Sequence, residues 1–479
     1  MSSLPSAEPA NGWRERFIAR LEQDGRHRTW VLWAALAGMF AATFPITILT
    51  ASLPAIAREF GTRETTMAWV LSAPMLVSAV ALPLLGKLGD VYGHRRVFLL
   101  GTAAAAATAL ATCFAWSSLS LIGFRTLAAT LGGATQPTAM ALMFSVTPRE
   151  ERVRTMGWWS MTAAGAPGLG LAVGGPLVEW LGWRVVFAMQ GGFSLLALAL
   201  AFAVLRETPR KRVAFDLAGA LTLALGVAGL MFALSQLPQR GIASARVLVP
   251  LALGAAGVAA FWAVERRVAA PLLPLGLFRG RAFTPPLLAN ALTSASYMGA
   301  FAVAPFLLQR LFGFSIGATA VLLLLRTASF ALGSPAGGAL GHRLGERTAA
   351  SAGCLVIALS MAILTAGALA ASFGVVAVGL VLQGVGYGLC TPSISSAASN
   401  AAGEEDLGVA SAASRLMGSI GSAFGVTLLT LLYGGVDQPA AFALAFGVGG
   451  ALAVGALLAS LAMVRRRPRE IRTPPNALG

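Results

Sequence analysis

The chain has 479 residues, 57% of them hydrophobic and only 11% charged, with a mean hydropathy of +0.75. Soluble domains carry roughly 25% charged residues, so this composition excludes a soluble globular protein and describes a polytopic membrane protein. The net charge of +16 comes from 35 basic against 19 acidic residues, and the basic ones lie between apolar runs, which excludes a nucleic-acid face.

Residues 1–29 are polar, show no cleavable signal, and form a cytoplasmic N-terminal segment. Trp13, Phe17 and Leu21 recur at helical spacing opposite Arg14, Arg16 and Arg20, which suits an interfacial helix on the inner leaflet; a disordered tail is the alternative. A span needs about 20 apolar residues. Fourteen runs qualify: 30–57, 67–88, 97–116, 118–145, 156–181, 183–205, 215–237, 246–264, 283–312, 317–340, 348–371, 373–398, 408–433 and 439–464. An even count places both termini on one side. The basic residues concentrate in alternate connections and in the tail 465–479, so both termini are expected in the cytoplasm of a plasma-membrane protein.

Between runs 2 and 3 stands Gly86-Lys-Leu-Gly-Asp90-Val-Tyr-Gly93-His-Arg95-Arg96, read as a glycine-rich polar hairpin. Its glycines permit close helix approach and turn angles that other residues resist. Asp90 is within reach of Arg95 and Arg96, and such an ion pair holds one arrangement and must break to allow another. The stretch repeats after run 10 as Gly338-Ala-Leu-Gly-His342-Arg-Leu-Gly345-Glu-Arg347, with His342 where Asp90 stood. Gln136-Pro137-Thr138 is echoed by Thr391-Pro392-Ser393 at nearly the same offset. The expected architecture is therefore all-α: an N-terminal six-helix bundle at 30–205 and a C-terminal one at 283–464. Two linker spans with cytoplasmic loops at 206–282 join them, and a binding site lies between the halves.

Gly86, Leu88, Asp90, Gly93, Arg95 and Arg96 resemble the signature between helices 2 and 3 of the major facilitator superfamily. The order of Ser52-Leu53-Pro54, Trp69, Gly182-Trp183-Arg184, Phe215-Asp216 and Pro271-Leu-Leu-Pro-Leu275 is similar to its fourteen-span drug:proton antiporter branch. The resemblance implies a major facilitator fold, transport by alternating access, and a latch role for the hairpin. It also implies an antiporter-type bending helix in run 5, where Gly165, Pro167, Gly170, Gly174, Gly175 and Pro176 lie. Leu171 stands where that branch has a proline. Arg125 in run 4 matches the branch's coupling arginine, although Ala128 and Ala129 replace the usual glutamine and glycine. The branch usually carries an aspartate nine residues before Pro54, and that position is Pro45.

A charge inside a span is costly and should face a wet cavity or a polar partner. Arg125, Arg326 and Arg415 are such charges, and no acid lies near the middle of any run to pair with them. The polar cavity candidates are Thr47, Thr50, Gln136, Asn290, Thr293, Tyr297, Gln383 and Tyr387, each alternatively an interhelix hydrogen bond. Cys113, Cys354 and Cys390 read as small core residues; no metal site and no cofactor is expected. His27, His94 and His342 lie far apart, so the clustered groups of an enzyme are missing, and a sensor would usually add a soluble domain. The expected partners are a small-molecule substrate, the lipid bilayer and, through the resemblance, protons; nucleic acid is not one, and the chain is expected to be monomeric. Two functions remain open: export of small hydrophobic or amphipathic compounds, or a carrier for an anionic amphipathic metabolite or lipid that does not use a span 1 carboxylate.

Overall fold

A computed structural model of the chain describes residues 13–44, 56, 59–62, 69–208, 216–268, 282–314, 316–402, 407–434 and 438–464. In hydrocarbon every backbone polar group must be satisfied within its own segment, so long apolar runs fold as helices. The helices are α1 (Trp13–Gln23), α2 (His27–Thr43), α3 (Trp69–Tyr92), α4 (His94–Cys113), α5 (Ser118–Gly132), α6 (Thr135–Ser145), α7 (Arg152–Leu181) and α8 (Trp183–Val204). They continue with α9 (Leu217–Arg240), α10 (Ala245–Glu265), α11 (Thr284–Phe306), α12 (Ile316–Leu344), α13 (Glu346–Leu369), α14 (Phe373–Ala401), α15 (Leu407–Tyr433) and α16 (Pro439–Leu461). Nine helices among the described residues are long and apolar enough to cross a bilayer.

Each expected run overlaps a helix, with two departures. Run 4 is split into α5 and α6 around Gly133, and run 9 ends in a π-turn, Leu307–Leu311, just after Pro305. The expected hairpin at 86–96 is also corrected. α3 continues through Gly86 and Asp90 to Tyr92, and α4 begins at His94, so only Gly93 lies outside a helix. Hydropathy marks where the apolar surface ends, whereas backbone hydrogen bonding continues for another turn. Gly93 makes the break because its φ is +98°, a region that L side chains rarely adopt. Gly345 repeats the device between α12 and α13 with φ +91°.

One apolar core forms among α2, α4, α6, α7 and α8, and another among α11, α13, α14, α15 and α16. The two groups meet where α7 packs along α12 and α14, and where α3 and α6 pack against α15. α9 pairs closely with α10 and also seats against α3 and α15. α1 lies on α8: the Arg14 Nε donates to the Phe202 carbonyl at 2.8 Å, and Trp13 is exposed, as an interfacial helix requires.

A clasp joins the segment after run 1 to the start of α8. Glu59 accepts from the Trp183 indole at 2.6 Å and from Arg184 at 2.5 Å. Burial pushes the Glu59 carboxyl up, but these hydrogen bonds and the Arg184 charge outweigh it and hold it below the ordinary range.

A β-carbon at Gly93 would overlap the Glu207 carboxylate as well as straining the backbone. Gly93→Ala is expected to cost on the order of 1–3 kcal/mol and to lower the melting temperature in detergent by several degrees. Gly123→Ala in α5, where a β-carbon meets nothing within 4 Å, should leave it unchanged or raised.

Candidate functional site

Between the two groups of helices lies a cavity of about 720 Å³, within the range of small-molecule sites. Its walls come from α6 and α7 on one side and from α11, α12, α14 and α15 on the other. Six expected residues line it: Gln136, Asn290, Tyr297, Arg326, Tyr387 and Arg415.

Arg326 is held by groups of two neighbouring helices. It is only 1% exposed; its Nε donates to the Gln383 Oε1 at 2.6 Å and its Nη2 to the Tyr297 main-chain oxygen at 2.7 Å. The guanidinium lies 3.6 Å from the centre of the Tyr297 ring and 4.9 Å from that of Phe301. Cation–π contact offsets part of the lost hydration, roughly 2 kcal/mol or more when desolvated. α12 comes this close to α14 because Gly384 leaves room for the Arg326 carbonyl. Tyr297 stacks on Tyr387 with ring centres 3.9 Å apart, and Phe330 meets both at steep angles.

Arg415 is placed differently. It sits on α15 among small residues, Ser411, Ser414, Gly418, Ser419 and Ser422, all of which line the cavity. α15 packs on α11 at Gly421, where a β-carbon would strike the Ala291 carbonyl, and the Asn290 Nδ2 donates to the Ser414 carbonyl at 2.6 Å. Arg415 is exposed to the cavity, and among the described residues no hydrogen bond or ion pair holds its guanidinium.

Other expected residues lie elsewhere. Thr293 and Gln383 are buried behind the wall, with Thr293 donating to the Ala289 carbonyl and Gln383 occupied by Arg326. Their helix faces, rather than their polarity, decide this. Arg125 does not reach the cavity; its Nη1 donates to the Gln190 Oε1 at 3.3 Å and its guanidinium lies over Phe187 at 5.2 Å. Thr47, Thr50 and Pro45 fall outside the described residues, and of the run 5 residues Gly174, Gly175 and Pro176 only the helical backbone is described. Pro167 lines the cavity, while β-carbons at Gly165 and Gly168 would make only ordinary contacts with α12. Sequence reasoning missed the opposite wall: Met140, Met156, Trp159, Ser160, Ala163 and Ala164. The signal was present, since Met156, Ser160, Ala163 and Pro167 recur at one-face helical spacing.

Asp90 lies against His94 in place of the expected ion pair with Arg95 and Arg96. Asp90 is 2% exposed and faces the His94 Nε2 at 3.2 Å, while the His94 Nδ1 lies 2.9 Å from the Thr208 hydroxyl. The Arg95 main-chain N–H donates to Glu207 at 3.0 Å, and the Arg96 Nε lies 3.7 Å from the same carboxylate. A helix turns about 100° per residue, so once His94 faces α3 the next two side chains point around toward the end of α8.

At the same end of the molecule the two groups of helices are sealed together. A β-carbon at Gly157 would stand 2.9 Å from the Ser334 carbonyl, and one at Gly338 the same distance from the Val153 carbonyl. The Arg152 Nη1 donates to the Asn400 Oδ1 at 3.1 Å, Asn400 donates to Glu346 at 2.7 Å, and the His342 ring nitrogen lies 2.9 Å from the Glu150 carbonyl. Leu407, the first residue of α15, is buried in the core of the other half.

The sequence profile described as Major Facilitator Superfamily matches residues 35–325 and 286–478. The chain belongs to the major facilitator superfamily. It is a multi-pass membrane transporter and not an enzyme. It is 29% identical over 415 residues to the multidrug transporter protein MdtP of Bacillus subtilis, covering 86% of this chain and 76% of that protein. It is 30% identical over 394 residues to the multidrug resistance protein Stp of Mycobacterium tuberculosis, covering 82% and 73%. The crystal structure of the human organic anion transporter MFSD10 (TETRAN) superimposes with a TM-score of 0.66 at 18% identity, covering 91% of this chain and 99% of that one, and shows the same fold.

In this superfamily member the seal is testable. Ser334 is fully buried against α7. In a background with Cys113, Cys354 and Cys390 replaced by serine, Ser334→Cys is expected to resist maleimide labelling. Adding Arg152→Ala should raise the labelling rate on the order of tenfold, the equivalent of losing one charge-assisted hydrogen bond.

Proposed function

We propose that the protein exports small hydrophobic or amphipathic compounds across the plasma membrane by alternating access. The observation that carries this reading is the cavity of about 720 Å³ between the two groups of helices, closed at one end by the Gly157–Gly338 approach and the Arg152–Asn400–Glu346 hydrogen bonds. The multidrug transporters among its relatives support export as the direction.

In this reading the chain crosses the membrane fourteen times as a monomer, with both termini cytoplasmic. The bundles 30–205 and 283–464 rock about the cavity, and 206–282 supplies two further spans. The sealed end carries Arg95, Arg96, Arg149, Arg152, Arg154, Arg343 and Arg347, the side on which basic residues are retained. The structure is then the state closed toward the cytoplasm. Gly86, Asp90, Gly93, Arg95 and Arg96 form the latch, with Glu207 and His94 as the partners of its charges.

Proton coupling through a carboxylate in span 1 has no residue to use, because Pro45 stands there. Among the described residues every acid sits near a helix end, in the short α1, or in a connection. Arg125, bonded to neutral Gln190, is the coupling candidate that remains.

Asp90→Asn is expected to cut ethidium or fluorescein uptake into inside-out vesicles sharply while leaving the amount of folded protein and its melting profile near wild type. Wild-type flux in that variant would remove the latch role from Asp90. A wild-type chain that moved neither dye would remove export of such compounds.

A further inference from the structure

The walls of the cavity differ in chemistry. The α6–α7 wall is mostly apolar, with Met140, Met156, Trp159, Ala163 and Pro167, and Gln136 and Ser160 are its polar side chains. The opposite wall presents two arginines, the stacked tyrosines and the serines of α15. Among the described lining residues there is no Asp, Glu, His or Lys.

The two arginines are not equivalent. Arg326 is fixed in the wall by its bonds to Gln383 and Tyr297 and is covered by aromatic rings, so it acts as a positive charge held in place. Among the described residues Arg415 has no such partner and is exposed to the cavity, which Ser411, Ser414 and Ser419 of the same helix also line. A guanidinium is a planar fork that matches a carboxylate or sulfonate through two parallel hydrogen bonds. Its attraction for an anion grows as water leaves the site, and the Arg326 charge adds to it. An aromatic cation entering the same space meets two positive charges and no counter-charge among the described residues.

We propose that the substrates of this cavity are amphipathic aromatic anions, oriented with the acid group on Arg415 and the ring system against Met140, Met156 and Trp159. The proposal rests on the export reading for the cavity being a transport site, but binding and transport are measured separately. It assigns Arg415 the anion contact and Arg326 a supporting field. Stacked Tyr297 and Tyr387 complete an aromatic floor beside the acid group, with the Tyr387 hydroxyl held 3.3 Å from the Ser294 hydroxyl.

The test is fluorescence anisotropy with the full-length protein in detergent, using fluorescein as the aromatic carboxylate and ethidium as an aromatic cation of similar size. Wild type is expected to bind fluorescein at least tenfold tighter than ethidium. Arg415→Gln should weaken fluorescein at least tenfold and tighten ethidium, and Arg415→Lys should recover part of the fluorescein affinity. Equal or tighter ethidium binding by the wild type would overturn the proposal without any variant, so a misfolded variant does not decide it. Fluorescein affinity unchanged in a folded Arg415→Gln, or no fluorescein binding at all, would overturn it too. Efflux of ethidium by a protein that does not bind fluorescein would leave export standing and remove the anion. Fluorescein binding that depends on Arg415, without flux into vesicles, would keep the anion site and remove export.

Discussion

The close approach of α7 to α12 is the constraint on which the rest of the structure depends. Gly157 and Gly338 face each other across this contact, and any larger residue at either position would separate the helices by the width of a side chain. Membrane helices gain nothing from hiding apolar surface from one another, since lipid is equally apolar; they associate through contact area and polar bonds. Two backbones touching at the sealed end bring Val153, Arg152 and Glu150 within reach of the second half. Further along the pair the contact loosens to ordinary distances at Gly165 and Gly168, and Trp159, Arg326 and Phe330 line the cavity. Seal and cavity are thus built on the same helix pair.

Electrostatics then separates the arginines by role. Arg125, Arg152 and Arg326 are each at least nine-tenths buried, and each lies over an aromatic ring and donates to a neutral oxygen. That arrangement fixes each guanidinium in place and commits part of its donors to neutral oxygens, while its positive charge remains. Arg415 lacks both features. A cation that faces the cavity without a partner among the described residues shapes selectivity more than satisfied ones do, because its interactions change most when a substrate arrives.

Much of this was legible in the sequence for a physical reason. Apolar length is set by the bilayer, so the runs marked the helices, and Gly93 and Gly345 were recognisable from their place in a repeated pattern. Arg326, Arg415, Tyr297 and Tyr387 stood out because polar groups are rare in such segments. Which face each residue occupies was less legible. Gln383 and Tyr387 are one turn apart, yet one is consumed by Arg326 and the other lines the cavity. The partner of Asp90 was hidden because the helix continues past the apolar boundary, which turns Arg95 and Arg96 away and brings His94 in. Glycine spacing in run 5 drew attention to Gly165 and Gly170, while the glycine that sets the helix contact is Gly157, outside that pattern.

The seal is also built to be broken. Three polar contacts across the two halves are Arg152 with Asn400, Asn400 with the Arg149 carbonyl, and His342 with the Glu150 carbonyl. Each joins a charged or polar group to a neutral acceptor, and none of the three is an ion pair. Hydrogen bonds of this kind contribute about 0.5–3 kcal/mol apiece, whereas opening a buried ion pair leaves charges whose desolvation costs more. A transporter must populate both of its states, which requires that they differ by only a few kcal/mol. The repeat of the hairpin bears this out: where the first half keeps an acid paired within its own helices, the second carries His342, a group that bonds a carbonyl across the seal and can release it to water. These three bonds to neutral acceptors are among those remade in each cycle.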